Sequence, residues 1–149
     1  MTSTWDRIVS AIALAQGVDP VTGRAELAMC WAATDDDDHA QRCVLAHYLA
    51  DLEPDVLDEV EWDERALSEF AWIGATDLAP IGIEDAGVLA PSLHLNLCDG
   101  YWRLGRLSDA RRQLDAGRAA VSLLGDDGYA TMIRGGLQRL ASVIEVDID

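Results

Sequence analysis

Apolar residues recur at helical spacing along almost the whole chain. Trp5, Ile8, Val9, Ile12 and Ala15 share one face of a first predicted helix, which "QGVDP" stops through Gly17 and Pro20. Leu27, Cys30 and Trp31, with Ala28 or Thr34, mark a second over about Thr22 to Ala33. "TDDDD" then opens a third, with an Asp or Thr cap and acids near the positive end of the helix dipole; Val44, Leu45, Tyr48, Leu49 and Leu52 form its stripe. Pro54 suits the first turn of a fourth, whose apolar positions are Val56, Leu57, Val60, Ala66, Leu67, Phe70 and Trp72 or Ile73.

"DLAPIGIEDAGVLAPS" (77–92) holds two prolines and two glycines and predicts the one long connection, over about 77–91. A strand at "PIGI" would have no partner to pair with. A fifth helix is expected from about Ser92 to Leu104 and a sixth from Ser108, as its cap, to about Leu124. After "GDDG", Tyr129, Met132, Ile133, Leu137, Leu140 and Ile144 define a last helix, over about 127–146. Its Gly135–Gly136 pair costs roughly 1 kcal/mol per glycine in helix propensity and points to a close helix approach. The tail "VDID" is expected to fray. The expectation is an all-α fold of seven helices, each antiparallel to the last, in a single domain over 1–149.

The stretch "LHLNLCDGYWRLGRLSDARRQLDAGRAA" (93–120) sharpens that picture. Leu97, the small Cys98, Tyr101, the turn glycine Gly105, Leu107, Ala110, Leu114 and the small Gly117 recur at the spacing of a helix–turn–helix unit of about 34 residues. The pattern resembles a tetratricopeptide repeat, best over about 92–124. "CVLAHYLADLEPDVLDEVEWDERALSEF" is a weaker copy, in a unit of about 37–73. There Leu45, Ala46 and Leu49 stand for Leu97, Cys98 and Tyr101, and Ala66 and Leu67 close the unit. It departs where Pro54 replaces the turn glycine and Glu59 the early alanine. Residues 4–34 would be a degenerate hairpin and the last helix a cap. The chain is also similar to small actinobacterial proteins of this type, a group without an assigned activity.

The resemblance implies a concave groove lined by the first helix of each hairpin, whereas an ordinary helical bundle would close up. The alignment places Cys43, His47 and Asp51 on that groove from the third helix, and Leu95, Asp99, Trp102 and Arg103 from the fifth. Trp102 would be an amphipathic anchor, with Asp99 and His47 reading a polar or basic group. Members that clamp a C-terminal carboxylate use basic and amide groups on these faces; Leu95 and Asp99 stand there instead, so a basic or neutral peptide is the expected occupant. The alternative is that the last helix fills the groove.

Charge narrows the partners. The 149 residues carry 27 acids and 11 arginines with no lysine, a net −16, which argues against nucleic acid and anionic membrane. No apolar run approaches a membrane span, and no secretory leader is evident. Three cysteines without close spacing suit free thiols in a reducing, cytoplasmic setting. The acidic fourth helix and the Arg-rich sixth could also pair two copies of the chain as a homo-oligomer.

Chemistry-bearing motifs are sparse. His39, Cys43 and His47 lie at i, i+4, i+8, and His94 with Cys98 repeats the spacing. A zinc ion could take one such pair, yet His39 and His47 stand roughly 12 Å apart along a helix, too far for one ion to take all three unaided. Asp35–Asp38 lacks the alternation and distant Glu of a calcium loop. No phosphate loop, HExxH or acid/base motif occurs. The expectation is a non-enzymatic protein- or peptide-binding adaptor without cofactor or metal. The second reading is a small-ligand or metal-binding helical domain using the His/Cys face of the third helix.

Overall fold

The computed structural model describes residues 3–148, with the side chains of 146–148 left aside. Among the described residues there are seven α-helices and no strand, and neighbouring helices pack as hairpins. They are α1 (Thr4–Gln16), α2 (Pro20–Ala32), α3 (His39–Ala50), α4 (Val56–Phe70), α5 (Ala90–Arg103), α6 (Leu107–Ala120) and α7 (Gly128–Ile148). The chain divides into two compact units, Met1–Ala86 and Gly87–Asp149, and the boundary falls inside the expected long connection. No described helix is long and apolar enough to cross a membrane.

In the first unit, Ser3 and Asp6 form a reciprocal capping box that starts α1. Asp19 caps α2 through the Thr22 backbone N–H, with Pro20 in the first turn; the Thr22 hydrogen bonds hold its carboxyl below the usual carboxylate range. The α1–α2 hairpin is tight because Gly23 sits directly on the backbone of Ala15. α3 is the central helix, packed against α1, α2 and α4. From Cys43 onward it is apolar on nearly every side, with Cys43, Val44, Leu45, Ala46, Leu49 and Ala50 all buried. A 3-10 turn at Ala79–Ile81 packs on α1, and the Ala86 N–H donates to the Ala75 carbonyl to close the unit.

The second unit repeats this plan with α5 at its centre, against α6 and α7. Gly105, at φ 75°, ends α5 in the left-handed conformation that glycine adopts without strain, while the Arg106 N–H donates back to the Tyr101 carbonyl. Asp127 caps α7 by accepting from the Ala130 N–H. Gly117 admits the Leu137 side chain of α7, and Gly136 admits Leu95 of α5. Of the glycine pair expected to allow a close approach, Gly136 does so; a Cβ on Gly135 would meet only Arg139 of the same helix.

Four local expectations are corrected. Asp38 of "TDDDD" stands at the N-cap of α3, but its carboxylate accepts from the Asp35 N–H in a turn, so no side chain caps the helix. Pro54 precedes α4, whose cap is Asp55 through the Leu57 N–H. Ser108 lies inside α6 and makes no cap bond; Arg106 holds that end through Asp109. α6 stops at Ala120 and tightens into a 3-10 turn over Val121–Leu123. The expected fraying of "VDID" falls on residues 146–149, outside the fully described ones.

Candidate functional site

The first unit gathers its arginines and aromatics into a belt. Arg42 lies over the Trp31 ring at 4.7 Å and Arg65 over Trp62 at 4.6 Å, while the two indoles meet edge to face at 4.9 Å. Trp62 donates Nε1–H to Glu53, which also accepts from Arg24 at 2.9 Å. Three of this unit's four arginines are thus held internally. Its 19 acids against those four leave the surface strongly negative, and the second unit, with eight acids and seven arginines, is nearly neutral.

At one end of the belt an open cleft of about 340 Å³ is lined by Trp5, Asp37, Asp38, His39, Gln41 and Trp72, with Ala40 and Asp77. Packing of α4 on α3 brings Glu69 to His39, thirty residues away in sequence, with Nδ1 at 2.6 Å from Oε2. A carboxylate only accepts, so Nδ1 carries the proton and the ring orientation is set. Arg42 approaches the other Glu69 oxygen at 3.8 Å and donates Nε–H to Thr34. Just beyond α4, Trp72 stacks on His39, with ring centroids 5.3 Å apart and planes 16° from parallel. Trp72 is nevertheless 73% exposed. The result is a fixed, solvent-facing indole beside three carboxylates.

The seven groove residues named from sequence divide between the units: Cys43, His47 and Asp51 on α3 belong to the first, and Leu95, Asp99, Trp102 and Arg103 on α5 to the second. Two of them lie against neighbouring helices. Cys43 is 0% exposed because α3 is surrounded by helices, and burial, then the Glu69 charge, pushes its thiol up to about 12. Leu95 lies under α7, seated on Gly136. His47 is largely buried beside Tyr48, and burial lowers its imidazole to about 4. Asp51, at the α3 C-terminus, is raised to about 6 by burial and by Glu59. Asp99 is paired with Arg103 at 2.8 Å, and Trp102 is half-buried.

On the α3 His/Cys face, Cys43 points into the core and His39 is bonded to Glu69 through Nδ1. His94 likewise pairs with Gln113, and Cys98 is buried with its thiol raised to about 11. No cluster of three His, Cys, Asp or Glu side chains fit for a metal ion occurs among the described residues.

Trp72 and His39 were visible in the sequence only as an apolar position closing the fourth helix and as one end of a His/Cys spacing. Asp77 sat in a loop. Nothing local linked them, because Glu69 and Trp72 reach His39 only through the hairpin.

The fold and cleft together define an all-α protein of helical hairpins bearing an aromatic and acidic surface site. Compared with protein-family models, curated proteins and solved structures, the chain finds no match.

Proposed function

We propose that this is a non-enzymatic binding protein of tetratricopeptide-like build, whose first unit holds an arginine-bearing segment of a partner protein in the cleft beside Trp72. The observation that carries the reading is the exposed Trp72 ring, fixed against His39 within a cleft lined by Asp37, Asp38 and Asp77. Such an indole offers contact area with little further ordering cost, the setting in which tryptophan anchors recognition. The chain itself seats guanidinium groups on indoles at Trp31 and Trp62, so the same chemistry suits an arginine from outside. The excess of 15 negative charges on this unit would speed the approach of such a partner.

The repeat-like build is supported in the α5–α6 hairpin, where Leu97, Cys98, Tyr101, Ala110 and Leu114 are all buried around the Gly105 turn. Against catalysis stand the sealed thiols: thiolate is the reactive form, and burial suppresses it at Cys43 and Cys98. The proposed pairing of two copies is weakened by Asp109, which already bonds both Arg106 and Arg112 on α6.

The test is a titration of an arginine-rich peptide, with a glutamine-substituted control, against wild type and Trp72→Ala. The expected result is binding that weakens with salt, requires arginine, and falls about tenfold or more in Trp72→Ala. Equal affinity of the variant and wild type would sink the reading. Light scattering alongside would expose a second copy of the chain as the occupant.

A further inference from the structure

A second cleft, independent of the first, lies wholly in the second unit. It measures about 250 Å³ and is lined by Arg118 of α6, Val121 of the 3-10 turn, and Arg134, Leu137 and Gln138 of α7. Its chemistry is the opposite of the Trp72 cleft: two guanidinium groups beside an apolar floor.

The local sequence builds this arrangement. Gly117 lets Leu137 approach α6, which draws α7 in and places Leu137 beneath the cleft. The tightening of α6 at Val121 turns the chain so that the carbonyls of Leu124 and Gly125 face α7. Arg134 donates to both, at 3.4 and 2.8 Å, and its guanidinium is thereby fixed in position. Arg118 is 48% exposed and meets Glu145 only at 3.6 Å, a loose contact between exposed groups. In water such a pair contributes little, so an incoming anion can displace it.

Arg118 presents a planar fork that matches a carboxylate, Arg134 adds a second positive charge held in place by its carbonyl bonds, and the Val121–Leu137 floor offers no partner to a polar tail. A cleft of this size is smaller than sites for drug-sized molecules, so it suits a short chain rather than a large ring system. We propose that this cleft binds an aliphatic carboxylate, with the carboxylate between Arg118 and Arg134 and the hydrocarbon on Val121 and Leu137. The carboxylate could come from a small fatty acid or from the last residue of a peptide ending in leucine; both present the same group.

The experiment follows backbone amide shifts of the full-length protein by NMR on titration with hexanoate, hexanamide, and a short leucine-ending peptide as free acid and as amide. Saturable shifts confined to about residues 118–124 and 134–138 are expected for the acids. Affinity for the amides should be weaker by about tenfold or more, the loss of a charge-assisted pair. Arg118→Ala, a change at an exposed position that leaves the fold intact, should weaken the acids by a similar factor. The tighter of hexanoate and the free-acid peptide identifies the source. Absence of saturable shifts with both acids, equal affinity for acids and amides, or unchanged binding in Arg118→Ala would each overturn the proposal.

Discussion

Gly23 of α2 rests on Ala15 of α1 so closely that a Cβ at position 23 would stand 2.3 Å from both the Ala15 Cα and its backbone nitrogen. No side-chain rotation relieves such a contact, because the opposing atoms are main chain. The first hairpin therefore depends on one missing methyl group. Gly23→Ala should separate the helices and cost about 2 kcal/mol or more, read as a lowered urea midpoint. Gly128→Ala, in open space at the start of α7, is the control and should be neutral or stabilising by several tenths of a kcal/mol. Equal effects at the two glycines would mean that α1 and α2 are not in this contact.

That glycine shows where the sequence was legible and where it was not. Helix number, order and most apolar faces followed from spacing: Ile8, Leu27, Leu45, Leu97 and Leu114 all sit in the core, as their periodicity implies. Spacing fails where a helix is enclosed. An amphipathic reading of α3 gives it an outer face, yet Cys43 on that face is buried because α1, α2 and α4 all pack on it. It fails again where an apolar residue is left outside, as with Leu57 and Trp72. The candidate cleft was illegible for a further reason. Its parts come from α1, a turn, α3 and the segment after α4, and only the packed hairpins bring them together.

Acid response should separate two groups one turn apart on α3. His47 has its imidazole held at about 4 by burial, below its unfolded value near 6.5. The unfolded chain takes up that proton first, so this contribution to stability is present above pH 6.5 and is lost as pH falls toward 4. Asp51, raised to about 6, works the other way: its folded form takes the proton first, and its contribution improves as pH falls from 6 to 4. Removing each in turn isolates them. Relative to wild type, His47→Gln should lose stability less steeply below pH 6.5, and Asp51→Asn more steeply between pH 6 and 4. The limiting slope for either group is about 1.4 kcal/mol per pH unit, and the exposed end of Asp51 will make its share smaller. Urea midpoints across this range give the slopes; identical slopes in all three proteins would contradict the assigned burial.

The three thiols provide a probe of opening. Cys30, Cys43 and Cys98 are buried and unpaired with one another. Burial raises all three above the ordinary thiol value. A thiol reagent at mildly alkaline pH should label none of them rapidly in the folded protein and all three after denaturation. Cys30, the least enclosed, should react first as denaturant is added. Immediate labelling of Cys43 in native conditions would remove α3 from the centre of its unit.

The most telling prediction concerns how Trp72 is held. His39 can present a flat face to the indole only if its ring orientation is fixed, and the fixing group is Glu69, at 2.6 Å from Nδ1. Glu69→Gln keeps an acceptor for that N–H but removes the charge that also attracts Arg42. The pair is part-buried, so the loss should cost about 1 kcal/mol of stability, a modest fall in melting temperature. If the orientation of Trp72 sets its affinity for an arginine-bearing peptide, the same change should weaken binding several-fold while leaving the salt dependence in place. His39→Phe separates the two parts of the device, since it keeps a ring for stacking and loses the bond to Glu69. An intermediate affinity for His39→Phe, below wild type and at or above Glu69→Gln, is the expected order. Full affinity in Glu69→Gln would show that Trp72 needs no support from beneath. The indole would then anchor the peptide without the His39–Glu69 bond, and Trp72→Ala would still lose affinity where Glu69→Gln does not.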